Sequence, residues 1–154
     1  MTEPDSPHVV AIPPFVFLGG FFIALILQWL LPVHVFSGIA WKTVGWIVAL
    51  ISGILALSGF RAMHRIGTNI DVRKPALAIV STGPFRYTRN PLYLSLVLLY
   101  IGIALFFDMV WLLAILVPIV LVIHYGVIRR EERYLEGKFG ESYLEYKKKV
   151  RRWV

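Results

Sequence analysis

Charge is absent from most of this chain, and that absence constrains its fold more than any motif does. No Asp, Glu, Lys or Arg occurs from Ser6 to Trp41, none from Thr43 to Phe60, and residues 93–128 carry one, Asp108. Uncharged apolar runs of such length are read as membrane-crossing helices. Composition agrees. Hydrophobic residues make up 58% of the 154-residue chain and charged residues 16%, against roughly 45–50% and about 25% in soluble domains. A soluble domain would lack the polar surface to cover this apolar mass, and a disordered chain would lack the apolar residues. Cysteine is absent, which removes disulfides, thiolate metal ligands and a thiol nucleophile.

The runs divide into four spans, at about residues 13–31, 43–62, 91–107 and 109–128. The third charge-poor run must fold back, because one helix over 93–128 would extend ~54 Å through a hydrocarbon core of ~30 Å. Phe107-Asp108-Met109 is the turn of that hairpin, and Pro118 is expected to kink its second arm. The first span is read as retained rather than as an export signal. Glu3 and Asp5 give its leading segment the wrong sign, and the apolar stretch is too long. The expectation is one all-α, polytopic membrane domain over residues 1–154, with four transmembrane helices, the last two a hairpin, and a C-terminal amphipathic interfacial helix over 129–154.

Basic residues orient it. Of 16 Lys and Arg, six lie in residues 61–89, nine in 129–152, and the last is Lys42. The positive-inside rule then places the 61–90 loop and the C-terminal tail in the cytoplasm, and four spans return the N-terminus to the same side. The net charge of +7 suits anionic lipid headgroups. Nucleic acid is excluded as a partner, since the basic residues flank spans and no nucleic-acid module is recognisable.

Chemistry, if present, belongs on that basic face. In the loop, Gly83-Pro84 signals a turn, and Asn90-Pro91 reads as a helix N-cap followed by proline at the first helical position. Such a start presents free N–H groups to an anion, with Arg86 and Arg89 within one turn. The same residues also describe a plain capped helix with topology-setting arginines. Beyond the last span come Arg129, Arg130, Glu131, Glu132 and Arg133. Adjacent carboxylates do not share a helical face, so at most one of Glu131 and Glu132 is expected to point into the bundle, where it could meet an amine or a ribose diol. Paired with the arginines at the interface, both would instead be bland. His124, about one turn inside the last span, fits hydrogen-bonded packing, and with His64 it makes no convincing metal site. In the tail, Leu135, Phe139, Tyr143, Tyr146, Val150 and Trp153 recur at helical intervals. Gly137 and Gly140 are candidate bend points. A lid over the loop and a membrane-surface anchor both satisfy that pattern.

Four pieces in order carry a resemblance: Gly67-Thr68-Asn69, then Gly83-Pro84-Phe85-Arg86-Tyr87-Thr88-Arg89-Asn90-Pro91-Leu92-Tyr93, then Glu131-Glu132, then Phe139-Gly140-Glu141-Ser142-Tyr143-Leu144-Glu145-Tyr146. From about Phe60 onward the chain resembles the integral-membrane methyltransferases typified by isoprenylcysteine carboxyl methyltransferase, to which phospholipid N-methyltransferases are related. The resemblance implies S-adenosylmethionine as methyl donor and no metal. Carried over by position, it places Arg89, Asn90, Pro91, Tyr93, Glu131 and Glu132 at the donor; Gly83, Tyr87 and His124 are further candidates for donor binding, and Arg129, Arg130 and Glu131 are candidates for catalysis. Position 90 is Asn where well-known members have His, so it can hydrogen-bond but not titrate.

Methyl transfer from a sulfonium needs alignment and a dry site. A carboxylate acceptor needs no base, only a cation such as Arg129 or Arg130 to orient it. An amine acceptor would need one, for which Glu131, Glu132 or His124 is available. The expected activity is methylation of a carboxylate on a lipid-like or prenylated acceptor entering laterally from the bilayer. The alternatives are amine methylation of a phospholipid or methylation of a small thiol on the same scaffold, and, in another class, a non-catalytic lipid-binding or scaffolding protein.

Overall fold

A computed structural model describes Ser6, Pro7 and residues 9–153. The acidic residues Glu3 and Asp5, on which the retained-span reading of the N-terminus leans, lie outside the described residues. The chain is built from helices: α1 (Pro13–Leu30), α2 (Ile39–Ile66), a 3-10 turn (Gly83–Arg86), α3 (Pro91–Phe107), α4 (Val110–Ile123), a π turn (His124–Ile128), α5 (Arg129–Phe139) and α6 (Glu141–Lys149). Among the described residues the only extended pairing is an isolated parallel bridge, Thr88 with Arg151. Among the described residues, three helical stretches are long and apolar enough to cross a membrane, Pro13–Leu30, Ile39–Ile66 and Val110–Phe139, and the apolar Pro91–Phe107 is shorter. The expected all-α membrane architecture is the one observed.

The bundle runs α2–α3–α4–α1. Its interior carries Phe17 and Ala24 of α1, Tyr100 and Ala104 of α3, and Leu112, Leu116 and Ile119 of α4. Large apolar side chains such as Phe22, Ile26, Trp29, Ile47 and Ile54 point outward, which suits helices solvated by lipid.

The tightest seam joins α2 to α3. Gly45, Ala49, Ser52 and Gly59 line it at intervals of four, three and seven, so small residues recur on one face. A Cβ added at Gly45 would fall 2.6 Å from the Phe106 nitrogen and 2.7 Å from the Gly102 oxygen, and one at Gly102 would fall 2.9 Å from the Ala49 nitrogen. The Ser52 hydroxyl donates to the Ser95 carbonyl at 2.7 Å across the seam. Backbones this close hold the first turn of α3 beside the last turns of α2. At the other end, Asp108 makes the expected hairpin turn with φ +55°. Its carboxylate also accepts from the amides of Val35 (2.8 Å) and Phe36 (2.6 Å) and contacts the His34 ring, tying the α1–α2 connection to the hairpin.

Three expectations need correction. Span two reaches from Ile39 to Ile66 rather than 43 to 62; charged residues near a span's end do not stop the helix, which here ends at Gly67 in the left-handed region (φ +73°). The last helix does not finish at residue 128. It continues through a π turn into α5, and Val110–Phe139 would be about 45 Å long, so its charged end projects beyond the apolar core. Nor is the tail one helix over 129–154. Gly140, at φ +53° and ψ −130°, separates α5 from α6, while Gly137 sits within α5. From Val150 (φ −122°, ψ 132°) the chain is extended. Pro118 lies inside α4 without ending it.

Substituting Gly45 by Leu is expected to destabilise the fold by about 1–3 kcal/mol, because the facing groups are backbone and cannot yield. Gly53→Leu, where an added Cβ meets nothing within 4 Å, is the control. Unfolding of both variants in detergent checks this, and equal stability would refute the seam's role.

Candidate functional site

A cavity of about 630 Å³ opens at the end of the bundle that carries the basic residues, within the 300–1,000 Å³ typical of small-molecule sites. Its walls come from the start of α1, the end of α2, the 68–80 loop, the first turns of α3, and α5 and α6. Most of the lining is apolar; Arg89, Asn90, Tyr93, Glu131 and Glu132 are concentrated where α3 meets α5.

The loop is built by its own polar side chains. Asn69 Nδ2 donates to the Pro75 carbonyl at 2.8 Å, and the Leu77 amide donates to Thr68 Oγ1 at 3.1 Å. Asp71 accepts from Arg73 Nε (3.0 Å) and Nη2 (2.8 Å), and the Ala76 amide donates to the Tyr134 hydroxyl of α5. The Thr68-Asn69 piece of the motif therefore shapes the wall. Gly83 opens the 3-10 turn at φ +59°, a conformation that suits glycine.

Asn90 occupies the N-cap position of α3 with Pro91 at the first helical position, as expected. Its side chain, however, does not cap. Asn90 Nδ2 donates to the Arg152 carbonyl at 2.8 Å, because the extended C-terminal segment runs alongside and offers an acceptor there. Thr88 Oγ1 also donates to that carbonyl at 3.2 Å, and the Arg89 amide donates to the Arg151 carbonyl at 3.0 Å. Residues 150–153 are thus a strap laid against residues 88–90.

Both glutamates of α5 face inward, where only one was expected. Adjacent helical positions diverge by about 100°, and the site wraps that far around α5, with α3 on one side and the strap on the other. The π turn also inserts an extra residue into the helix just before α5, which shifts the register of all that follows. The Tyr93 hydroxyl donates to Glu131 Oε2 at 2.8 Å. Burial pushes the Glu131 carboxyl up to about 7; the Tyr93 hydrogen bond opposes this and the charge of Glu132 adds to it. Glu132 is buried at 5% exposure yet lies below the usual carboxylate range. Burial works against its ionisation, but hydrogen bonds from Arg152 and the charge of Arg89 outweigh it. Arg152 Nε and Nη2 reach its two oxygens at 2.9 and 2.6 Å, and Arg89 Nη2 reaches Oε1 at 3.2 Å. The Arg89 side chain is 8% exposed, and its Nε and Nη1 are buried with no hydrogen-bond partner.

Of the residues singled out by sequence, Arg89, Asn90, Pro91, Tyr93, Glu131 and Glu132 are brought together on the cavity wall. Gly83, Tyr87, His124, Arg129 and Arg130 are not part of that wall. Tyr87 is 76% exposed. Arg129 is exposed and lies over the Tyr125 ring, 5.6 Å from its centre. Both nitrogens of His124 are engaged behind the site, Nδ1 with the Trp153 indole N–H and Nε2 facing Arg152, each at 3.4 Å. Arg152 is the member that sequence reasoning missed. It lies 20 residues from Glu132 in a run of Lys and Arg that reads as a membrane-facing surface. Tyr146 joins α6 to the loop by donating to the Phe85 carbonyl at 2.8 Å.

Residues 41–142 match the phospholipid methyltransferase family, and the chain belongs to that family. It is therefore a membrane methyltransferase, a class for which S-adenosylmethionine is the implied donor. It is also similar to an uncharacterised protein of Haemophilus influenzae, 46% identical over 65 residues that make up 41% of this chain and the whole of that protein. No solved structure matches the chain.

The carboxyl of Glu131 is expected to titrate near pH 7, seen by infrared difference spectroscopy as a protonated-carboxyl band that fades with rising pH. Glu131→Gln should abolish that transition. Tyr93→Phe, which removes a hydrogen bond favouring the ionised form, should move it to higher pH. A carboxyl band that titrates only in the ordinary glutamate range would refute the burial argument.

Proposed function

We propose that this chain transfers the methyl group of S-adenosylmethionine to a lipid-like acceptor, with the donor held at the polar end of the cavity and the acceptor entering from the bilayer. The observation that carries the donor's placement is Arg89: a buried guanidinium with two nitrogens unsatisfied, an arrangement that costs free energy until an anion meets them. The donor's carboxylate fits that role. Glu131, whose carboxylate accepts from the Tyr93 hydroxyl, fits the donor's ammonium or ribose. Bound there, S-adenosylmethionine supplies an electrophilic methyl for in-line displacement; the protein's part is to align the partners and exclude water.

The acceptor's route is proposed from the packing. α1 lies on α4 and α2 lies on α3, so the cavity wall contributed by Pro13 and Pro14 on one side and Ala56 and Phe60 on the other is not closed by an extended α1–α2 seam. A lipid tail can lie between those helices. The positive-inside rule puts this end, both termini and the donor entrance in the cytoplasm.

Carboxyl methylation of an isoprenylcysteine-type acceptor is the favoured reaction. Once Glu131 and Arg89 hold the donor, the other lining carboxylates are committed, Asp71 to Arg73 and Glu132 to Arg89 and Arg152. A carboxylate acceptor, already ionised, needs no base. Arg129 and Arg130 lie off the wall, so an orienting cation would come instead from Lys74 in the cavity lining. One observation favours amine methylation of a phospholipid: a carboxyl near 7, as at Glu131, is suited to accept a proton at neutral pH.

The test uses purified protein with methyl-labelled S-adenosylmethionine, a native lipid extract and a farnesylcysteine analogue. Label entering the organic phase and released by mild base is the expected result, since it marks an ester. Base-stable label would replace this reading with N- or S-methylation. No transfer and no donor binding by calorimetry would leave a scaffolding protein. Arg89→Ala and Glu131→Ala are each expected to weaken donor binding by about tenfold or more. Because Glu131 must be ionised to meet an ammonium, donor affinity should fall as pH drops below about 7, and Glu131→Gln should flatten that dependence.

A further inference from the structure

Charge at the polar end of the cavity is uneven: two guanidiniums, Arg89 and Arg152, share one carboxylate, Glu132. The geometry divides it unequally. Arg152 takes both oxygens, Nε to Oε1 at 2.9 Å and Nη2 to Oε2 at 2.6 Å. Arg89 makes one longer contact, Nη2 to Oε1 at 3.2 Å, and keeps two nitrogens without partners. Two-point pairing is the geometry an arginine and a carboxylate prefer when nothing competes. We infer that Arg152 is a positioning residue: by occupying Glu132 at two points, it keeps Arg89 from closing onto the same carboxylate and leaves Arg89 able to bind the carboxylate of the methyl donor. This rests on the donor placement proposed above.

Several contacts make Arg152 fit for the task. Its carbonyl is fixed by the Asn90 side-chain amide and the Thr88 hydroxyl, so its place does not depend on the ion pair alone. The neighbouring Trp153 ring stacks on His124 with planes 18° apart, and Arg152 Nη1 faces the same His124 ring. Removing the guanidinium leaves Arg89 as the nearest cation to Glu132. The two would then form a closed, neutral pair, and the site would lose the positive charge that distinguishes a carboxylate-bearing ligand. Lysine cannot replace Arg152 fully, because an ammonium offers no fork to hold both oxygens.

The test is calorimetric titration of the purified protein and its Arg152→Ala and Arg152→Lys variants with S-adenosylmethionine and with its decarboxylated analogue. The wild type is expected to prefer the donor that carries the carboxylate. Arg152→Ala should lower affinity for S-adenosylmethionine by about tenfold or more while changing that for the analogue by less than about twofold. Arg152→Lys should fall between, and it carries the comparison if the alanine variant does not fold, with thermal unfolding in detergent as the check. Equal losses for both ligands, or no loss for either, would overturn the positioning role while leaving the donor reading intact. A wild type that does not distinguish the ligands would overturn it as well. Binding of neither ligand by the wild type would overturn the donor reading itself, and this inference with it.

Discussion

A single buried carboxylate holds the working end of this protein together. Glu132, 5% exposed, would cost several kcal/mol as an isolated charge; it is tolerable only because Arg89 and Arg152 both reach it. Those partners come from separate parts of the sequence. Arg89 lies just before α3, Glu132 lies on α5, and Arg152 lies on the extended strap that follows α6. Satisfying the charge therefore fixes three tertiary relationships at once. The hydrogen bonds from residues 88–90 to the carbonyls of Arg151 and Arg152 add the directional restraint that an ion pair alone lacks.

That clasp depends on what lipid demands of the rest. Within a hydrocarbon core every backbone group must be paired internally, so the spans are helices, and their polar residues are driven to the ends. One end gathers around Asp108, whose carboxylate accepts two amides from the α1–α2 connection. The other end gathers the arginines, glutamates and tyrosines of the cavity. Between them, apolar packing supplies little directional force, and close approach comes instead from small residues, most tightly at Gly45 and Gly102. Because that seam brings α3 alongside α2, Tyr93 arrives at the cavity facing α5 and Asn90 facing the strap.

The spans and the hairpin turn were legible because hydropathy and charge follow the bilayer directly, and Asp108 stands out in an otherwise uncharged run. Asn90-Pro91 was legible as a helix start because its cause is local. The use of the Asn90 side chain was not, since its acceptor, the Arg152 carbonyl, lies 62 residues away. The π turn at His124–Ile128 carries no sequence mark of its own, yet it sets which faces of α5 the two glutamates occupy. The tail misled for a related reason. Leu135, Tyr143 and Tyr146 keep the helical period because they face the cavity, and Val150 and Trp153 continue the spacing by coincidence in extended chain. Positions whose role is set by neighbours in space, Arg152 above all, look in the sequence like any other membrane-facing cation.

The distribution of polarity around the cavity bears on how one small domain could serve two unlike reactants. A charged donor and a lipid-like acceptor differ in everything but the atoms that react, and a uniformly polar or apolar pocket would hold only one of them well. Here Arg89, Glu131, Glu132 and Arg152 gather where α3, α5 and the strap meet, Asp71, Arg73 and Lys74 lie on the 68–80 loop, and the wall formed by α1 and α2 is apolar. Under the proposed reading, ionic contacts fix the donor at one side and burial of apolar surface draws the acceptor in from the other. Neither attraction then competes with the other. With both reactants seated, little room would remain for water between them, which would strengthen each charge interaction there. Burial already bears on Glu131, whose carboxyl it displaces toward neutrality. An ionisable group is thus left poised near physiological pH at the boundary between the two regions, where an incoming cation would complete its ionisation.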